Sequence, residues 1–134
     1  MMFKTLLLAA VGASALSLPV VSSAEVERRE TCVYTCGSVC YWQSDIDAAL
    51  AQGYSDYKSG TAPGGYPHEY EDYEGFSFPS SGPWYEFPIL SSYSVYTGGA
   101  PGADRVIFDS KGTFDSLITH TGASGDDFLA CKKD

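Results

Sequence analysis

The sequence predicts an α+β fold: one long α-helix packed on a short-stranded antiparallel β-sheet, with two disulfides. Three observations carry this expectation. A single stretch, residues 44–59, repeats its apolar residues at helical spacing. Beyond it the chain breaks into short β-type runs separated by clusters of Gly, Pro, Ser and Asp. Ten tyrosines, seven phenylalanines, fourteen glycines and seven prolines in 134 residues favour strands and tight turns over a helical bundle. One helix followed by a run of strands is the pattern of an antiparallel α+β domain.

The first segment is not part of that domain. Lys4 precedes an apolar run from Thr5 to Leu18, and small residues stand at Ser22-Ser23-Ala24. This reads as a secretory signal peptide over residues 1–24, too short for a membrane span. Arg28-Arg29 is a dibasic pair, so residues 25–29 read as a pro-segment and 30–134 as the mature domain. Loss of residues 1–29 removes three bases and two acids, leaving 105 residues of net charge −10 against −9 for the whole chain. The product is expected to be secreted, extracellular, free of the membrane and monomeric. Its charge disfavours a protein that coats nucleic acid through a broad basic surface, but allows a small site gripping one or two phosphates.

Cys32, Cys36, Cys40 and Cys131 all lie in the mature part, and an even count in an exported domain reads as two disulfides. Spacing alone leaves three connectivities open. A zinc site is disfavoured because the fourth cysteine and both histidines lie far along the chain.

Ser44, followed by Asp45 and Asp47, predicts a helix start, an N-cap oxygen with acids in the first turn. Ile46, Ala49, Leu50, Gly53, Tyr54 and Tyr57 continue it, and Gly60 predicts the stop. The expected strands are Tyr66–Tyr70, Trp84–Leu90, Arg105–Asp109, Phe114–Thr119 and Phe128–Cys131. Alternation puts Glu86 with Trp84 on one face and Tyr85, Phe87 and Ile89 on the other; likewise Arg105 and Ile107 face away from Val106 and Phe108. The apolar faces pack on the helix. Glu86, Arg105, His68 and His120 then converge on the opposite face, which suggests acid–base chemistry on an anionic substrate. Gly98-Gly99-Ala100-Pro101-Gly102 follows no βα unit and is a poor phosphate loop.

Six segments in this order carry a resemblance over nearly all of Thr31–Cys131. They are Cys32-Val33-Tyr34-Thr35-Cys36-Gly37-Ser38-Val39-Cys40, Tyr66-Pro67-His68-Glu69-Tyr70 and Tyr73-Glu74-Gly75-Phe76, then Tyr85-Glu86-Phe87-Pro88-Ile89, Gly102-Ala103-Asp104-Arg105-Val106 and Ile118-Thr119-His120-Thr121-Gly122-Ala123-Ser124-Gly125. Together they closely resemble the small fungal guanyl-specific ribonucleases. The resemblance implies disulfides Cys32–Cys40 and Cys36–Cys131, and cis bonds at Tyr66-Pro67 and Gly82-Pro83. It implies catalytic roles for Tyr66, His68, Glu86, Arg105, His120 and Phe128, and a guanine site at Tyr70, Glu71, Asp72, Tyr73, Glu74 and Asp126. At Glu71, Asp72 and Asp126 the best-known members carry asparagines and use mainly their backbone.

The implied activity is endonucleolytic cleavage of single-stranded RNA on the 3′ side of guanosine, by 2′-OH attack to a 2′,3′-cyclic phosphate and then hydrolysis to a 3′-phosphate. No cofactor or metal is implied, and DNA, lacking the 2′-OH, is not cut. The rival reading is a secreted, non-catalytic ribonuclease-like effector or RNA-binding protein. Such a protein is expected to have lost one of Glu86, Arg105 and His120, and all three are present.

Overall fold

The structure, a computed structural model, describes residues 32–134; the expected signal peptide and pro-segment lie outside them. Helix α1 spans Gln43–Ser59. It begins two residues earlier than the sequence predicts, with Trp42 rather than Ser44 as N-cap. The reason is Asp45, whose carboxylate reaches back to accept the Trp42 N–H at 3.0 Å and so fixes the boundary there. Gly60 ends the helix as expected, at φ 74°, with its N–H turned back to the last turn's carbonyls.

Among the described residues eight strands accompany it: β1 (Tyr34–Cys36), β2 (Val39–Tyr41), β3 (His68–Tyr70), β4 (Trp84–Pro88), β5 (Asp104–Asp109), β6 (Phe114–Thr119), β7 (Leu129–Ala130) and β8 (Lys132–Lys133). A five-stranded sheet runs β3-β4-β5-β6-β7, and a three-stranded one runs β2-β1-β8. Every pairing is antiparallel. The second sheet is additional to the expected strands.

Three expected strands are shorter than predicted. β3 starts at His68 because the Tyr66 N–H closes the Pro63–Gly65 3₁₀ turn and Pro67 has no N–H to give. β4 stops at Pro88, and residues 91–92 turn the chain away. β7 begins after Phe128, whose N–H goes to the Glu74 carboxylate. Both X–Pro bonds, Tyr66-Pro67 and Gly82-Pro83, are cis, as the resemblance implies. The disulfides are Cys32–Cys40 and Cys36–Cys131, also as implied. The first staples the β1–β2 hairpin; the second ties β1 to the link between β7 and β8 and so joins the two sheets.

The main core lies between α1 and one face of the larger sheet. Ile46 and Ala49 meet Phe87, Val106, Phe108 and Leu117, all buried. Each large apolar side chain so buried contributes roughly 1.5–3 kcal/mol. Gly53 is the point of closest approach: a Cβ there would lie 2.9 Å from Phe87 Cγ and 3.1 Å from Phe108 Cε1. A smaller apolar cluster lies on the other face: Tyr70, Ile107, Ile118 and Phe128, with Phe76, Phe78 and Trp84. A bulge at Asp115 serves this side. Phe108 opposes Phe114 while Ile107 opposes Ser116, leaving Asp115 over. Its carboxylate accepts the Ser80 N–H at 2.9 Å and the Ser80 hydroxyl at 2.7 Å, anchoring the loop between β3 and β4.

Candidate active site

Strand register builds the site on the face away from α1. His68 stands opposite Glu86, and Glu86 opposite Ile107, so the histidine and the carboxylate share that face. One pleat along, Pro88 opposes Arg105. The expected separation of faces therefore holds: Phe87, Val106 and Phe108 pack under the helix, while Glu86 and Arg105 project the other way.

Arg105 is 3% exposed, and each nitrogen of its guanidinium has a partner, while Nη2 keeps one N–H for a ligand. Nε donates to Glu86 Oε1 at 3.1 Å. Nη1 donates to the carbonyls of Gly102 at 2.8 Å and Asp104 at 3.0 Å. Nη2 donates to the Tyr66 hydroxyl at 3.2 Å. Glu86 Oε2 lies 3.8 Å from His68 Nδ1, which also contacts the Glu69 carbonyl at 3.0 Å. Burial pushes the Glu86 carboxyl above the usual carboxylate range, and the charges of His68, Arg105 and His120 only partly oppose it. A buried carboxylate poised to take a proton is the profile of a general base.

His120 closes the site from the end of β6. Its backbone N–H donates to the Ala103 carbonyl at 2.8 Å, and its ring stacks on Phe128 at 3.9 Å between centroids. Nδ1 lies 2.8 Å from the Asp127 carbonyl. A carbonyl only accepts, so Nδ1 carries the proton and Nε2 is left for a substrate. Arg105 lies 5.0 Å over the Tyr66 ring and 5.9 Å from the Phe128 ring. All six residues of the expected catalytic set thus meet in one place.

Beside them opens a cleft of about 190 Å³ lined by His68, Glu69, Tyr70, Glu71, Tyr73, Glu74, Glu86, Asp126 and Phe128. Glu74 is its most firmly held group. Oε1 accepts the Tyr70 hydroxyl at 2.5 Å and Oε2 accepts the Phe128 N–H at 2.9 Å. Burial alone raises its carboxyl, but the Tyr70 hydroxyl, the Phe128 N–H and the charge of His120 more than offset that and hold it below the ordinary range. Each oxygen keeps a lone pair for a ligand.

Tyr70 is buried beneath the cleft, and Tyr73 is 86% exposed at its mouth. Glu71 and Asp126 stand exposed at the rim. Asp72 is the one expected base-site residue that does not line the cleft. Its carboxylate accepts the Phe76 N–H at 2.7 Å and its φ is 55°, so it shapes the turn that presents Glu74. Three supporting groups escape side-chain reasoning: the carbonyls of Asp127, Gly102 and Asp104, which orient His120 and Arg105 without any residue-type signature. Glu69 adds a further acid to the cleft, and its place next to His68 in the sequence is the signal that could have marked it.

Fold and site define a class: a small, disulfide-tied α+β protein with an acid–base constellation on its sheet and an acidic, aromatic cleft alongside. Comparison with known proteins narrows it. A family model described as ribonuclease matches residues 29–132, and the chain belongs to that family. It is 65% identical over 102 residues to guanyl-specific ribonuclease Ms of Aspergillus phoenicis, covering 76% of this chain and 97% of that protein. It is 56% identical over 100 residues to guanyl-specific ribonuclease Pc of Penicillium chrysogenum, covering 75% and 98%. The solved ribonuclease from Hericium erinaceus superposes with a TM-score of 0.56 at 41% identity, over 77% of this chain and 99% of that one.

Proposed function

We propose that the mature chain is a secreted, monomeric endoribonuclease that cuts single-stranded RNA 3′ of guanosine. The observation that carries this is the placement of Glu86 between Arg105 and His68, directly beside a cleft in which Glu74 is held by two donors. The family membership and the names of the relatives support it.

In the first step Glu86, with His68 beside it, takes the proton of the ribose 2′-OH. The 2′-oxygen attacks the adjacent 3′-phosphate, and a 2′,3′-cyclic phosphate forms. His120, through Nε2, gives a proton to the departing 5′-oxygen. The nucleophile is already next to the phosphorus, so positioning does much of the work. Arg105, Tyr66 and protonated His68 stabilise the charge that builds on the phosphoryl oxygens. Phe128 walls the site and excludes water. In the second step the roles reverse, and water opens the ring to a 3′-phosphate.

Glu74 reads the base. Guanine offers N1–H and N2–H₂ on one edge, two donors for two carboxylate oxygens. Adenine offers a lone pair at N1 and nothing at C2. Tyr70 and Tyr73 supply the aromatic surfaces for the ring. The disulfides fit an oxidising, extracellular destination.

Digestion of a defined RNA in EDTA, with cut sites and end groups mapped, tests this reading. Cuts after guanosine carrying 2′,3′-cyclic and then 3′-phosphate ends are expected, with DNA left intact. Full-length RNA after prolonged incubation would refute it.

A further inference from the structure

A second groove, of about 470 Å³, lies beyond the Arg105 end of the site. The turn at Leu90, Ser91 and Ser92 forms one wall, the loop from Ala100 to Ala103 the other, and Thr121 closes one end. It borders the reacting groups through the backbone. Thr121 follows His120, Gly102 O accepts from Arg105 at 2.8 Å, and Ala103 O accepts the His120 N–H at 2.8 Å.

It lacks the acidic lining of the base cleft. The base cleft is lined by Glu69, Glu71, Glu74, Glu86 and Asp126. Among the residues lining the groove the only ionisable side chain is Asp104, which is 4% exposed. Both its oxygens are taken, Oδ2 by the Tyr41 hydroxyl at 2.5 Å and Oδ1 by the Thr119 hydroxyl at 2.6 Å. What the groove offers a ligand is neutral: the hydroxyls of Ser91, Ser92 and Thr121, and a loop with few side chains over its backbone. A Cβ on Gly102 would meet only Leu90 at 3.9 Å, so a ligand can approach the main chain closely there.

A polyanion running out of this acidic protein avoids exposed carboxylates, whose charge is felt over roughly 8–10 Å in ordinary salt. The groove exposes none, since Asp104 is buried with both oxygens taken, and it adjoins the histidine that protonates the leaving 5′-oxygen. We propose that this groove binds the nucleotides downstream of the leaving nucleoside, as a subsite for longer RNA. The inference rests on the reading of the chain as an RNA-cleaving enzyme.

The test compares kcat/KM on GpC, GpCpC and GpCpCpC, for the wild type and for Ala100→Asp and Ala100→Trp, with CpGpC as an upstream-extended control. Ala100 is exposed on the loop, so both variants spare the core. One added hydrogen bond from a hydroxyl or the main chain to a phosphate gives the wild type a gain on the order of ten-fold for the downstream-extended substrates over GpC. Ala100→Asp and Ala100→Trp should each remove most of that gain while GpC and CpGpC cleavage stay at wild-type rates. A flat length series in the wild type, or a gain that survives both substitutions, overturns the subsite. Failure to cut GpC at all would instead overturn the proposed activity.

Discussion

Phe87 and Glu86 are neighbours on β4 and face opposite sides of the same sheet. Phe87 is 0% exposed among apolar side chains beneath α1. Glu86 is nearly as buried, at 6%, yet is surrounded by an arginine, two histidines and a cleft. The helix side gains stability from burial. The other side uses burial to perturb charge: it raises the Glu86 carboxyl and locks Arg105 onto backbone carbonyls. The same strands therefore carry two separable properties, and substitutions on the two faces should separate them.

The largest effect is expected on the site face. His120→Ala removes the group placed to protonate the leaving oxygen and should lower turnover by about 10²–10⁴-fold. Thermal unfolding should move little, because the ring is only half-buried. A mutant that cuts GpC at near wild-type rates would remove His120 from the mechanism. On the helix face, Phe87→Ala should cost about 3–5 kcal/mol in denaturant unfolding. Molecules that remain folded should keep most of their kcat.

Gly53→Ala sharpens the same contrast. Alanine favours a helix by about 1 kcal/mol over glycine. Here the new Cβ meets the Phe87 and Phe108 rings at 2.9 and 3.1 Å, so overpacking of about 1–3 kcal/mol should prevail. A stabilised variant would show that the helix can lift off the sheet freely. Tyr70→Phe keeps the ring but removes the hydroxyl that holds Glu74. Hydrogen bonds to charged groups contribute about 1.5–3 kcal/mol, so kcat/KM at guanosine sites should fall roughly ten-fold or more, with adenosine sites much less affected. Equal losses on both bases would mean the hydroxyl is only structural.

The smallest effect is a shift of a pH profile. Glu86 must be ionised to accept the 2′ proton, so activity falls as pH drops through its raised pKa. His68 heads the charges that pull that pKa down. In His68→Ala the acid limb of kcat/KM should therefore move to higher pH, alongside any loss in rate. An acid limb that stays in place or moves down would show that His68 does not bear on Glu86.

The sequence shows the parts of this architecture that rest on period. α1 and strands β4 to β6 follow from helical spacing and from alternation, and alternation alone placed Glu86 and Arg105 on a common face. The second sheet was illegible for the opposite reason. β1, β2 and β8 have three, three and two residues, too few for any period to register. Long-range partners were equally hidden. Nothing in a strand pattern shows Asp104 between Tyr41 and Thr119, or Asp115 left over to hold Ser80. In the base cleft, the run Tyr70-Glu71-Asp72-Tyr73-Glu74 has no period that marks one acid over another. It took the resemblance to point to Glu74, and the folded chain to bring it to Tyr70 and to Phe128, 54 residues away. Asp72 and Glu74 look alike in sequence; one shapes the turn and the other faces the cleft.

The most direct measurement is the ratio of kcat/KM on GpC and ApC, for the wild type and for Glu74→Ala. Two aromatic surfaces distinguish the purines poorly, whereas a half-buried carboxylate fixed by two donors strongly rejects a base that lacks donors. The wild type should prefer GpC by orders of magnitude, with IpC between because inosine keeps N1–H and loses the amino group. Glu74→Ala should collapse the ratio mainly by lowering the GpC value. A ratio unchanged in the mutant would contradict the assignment of base reading to Glu74.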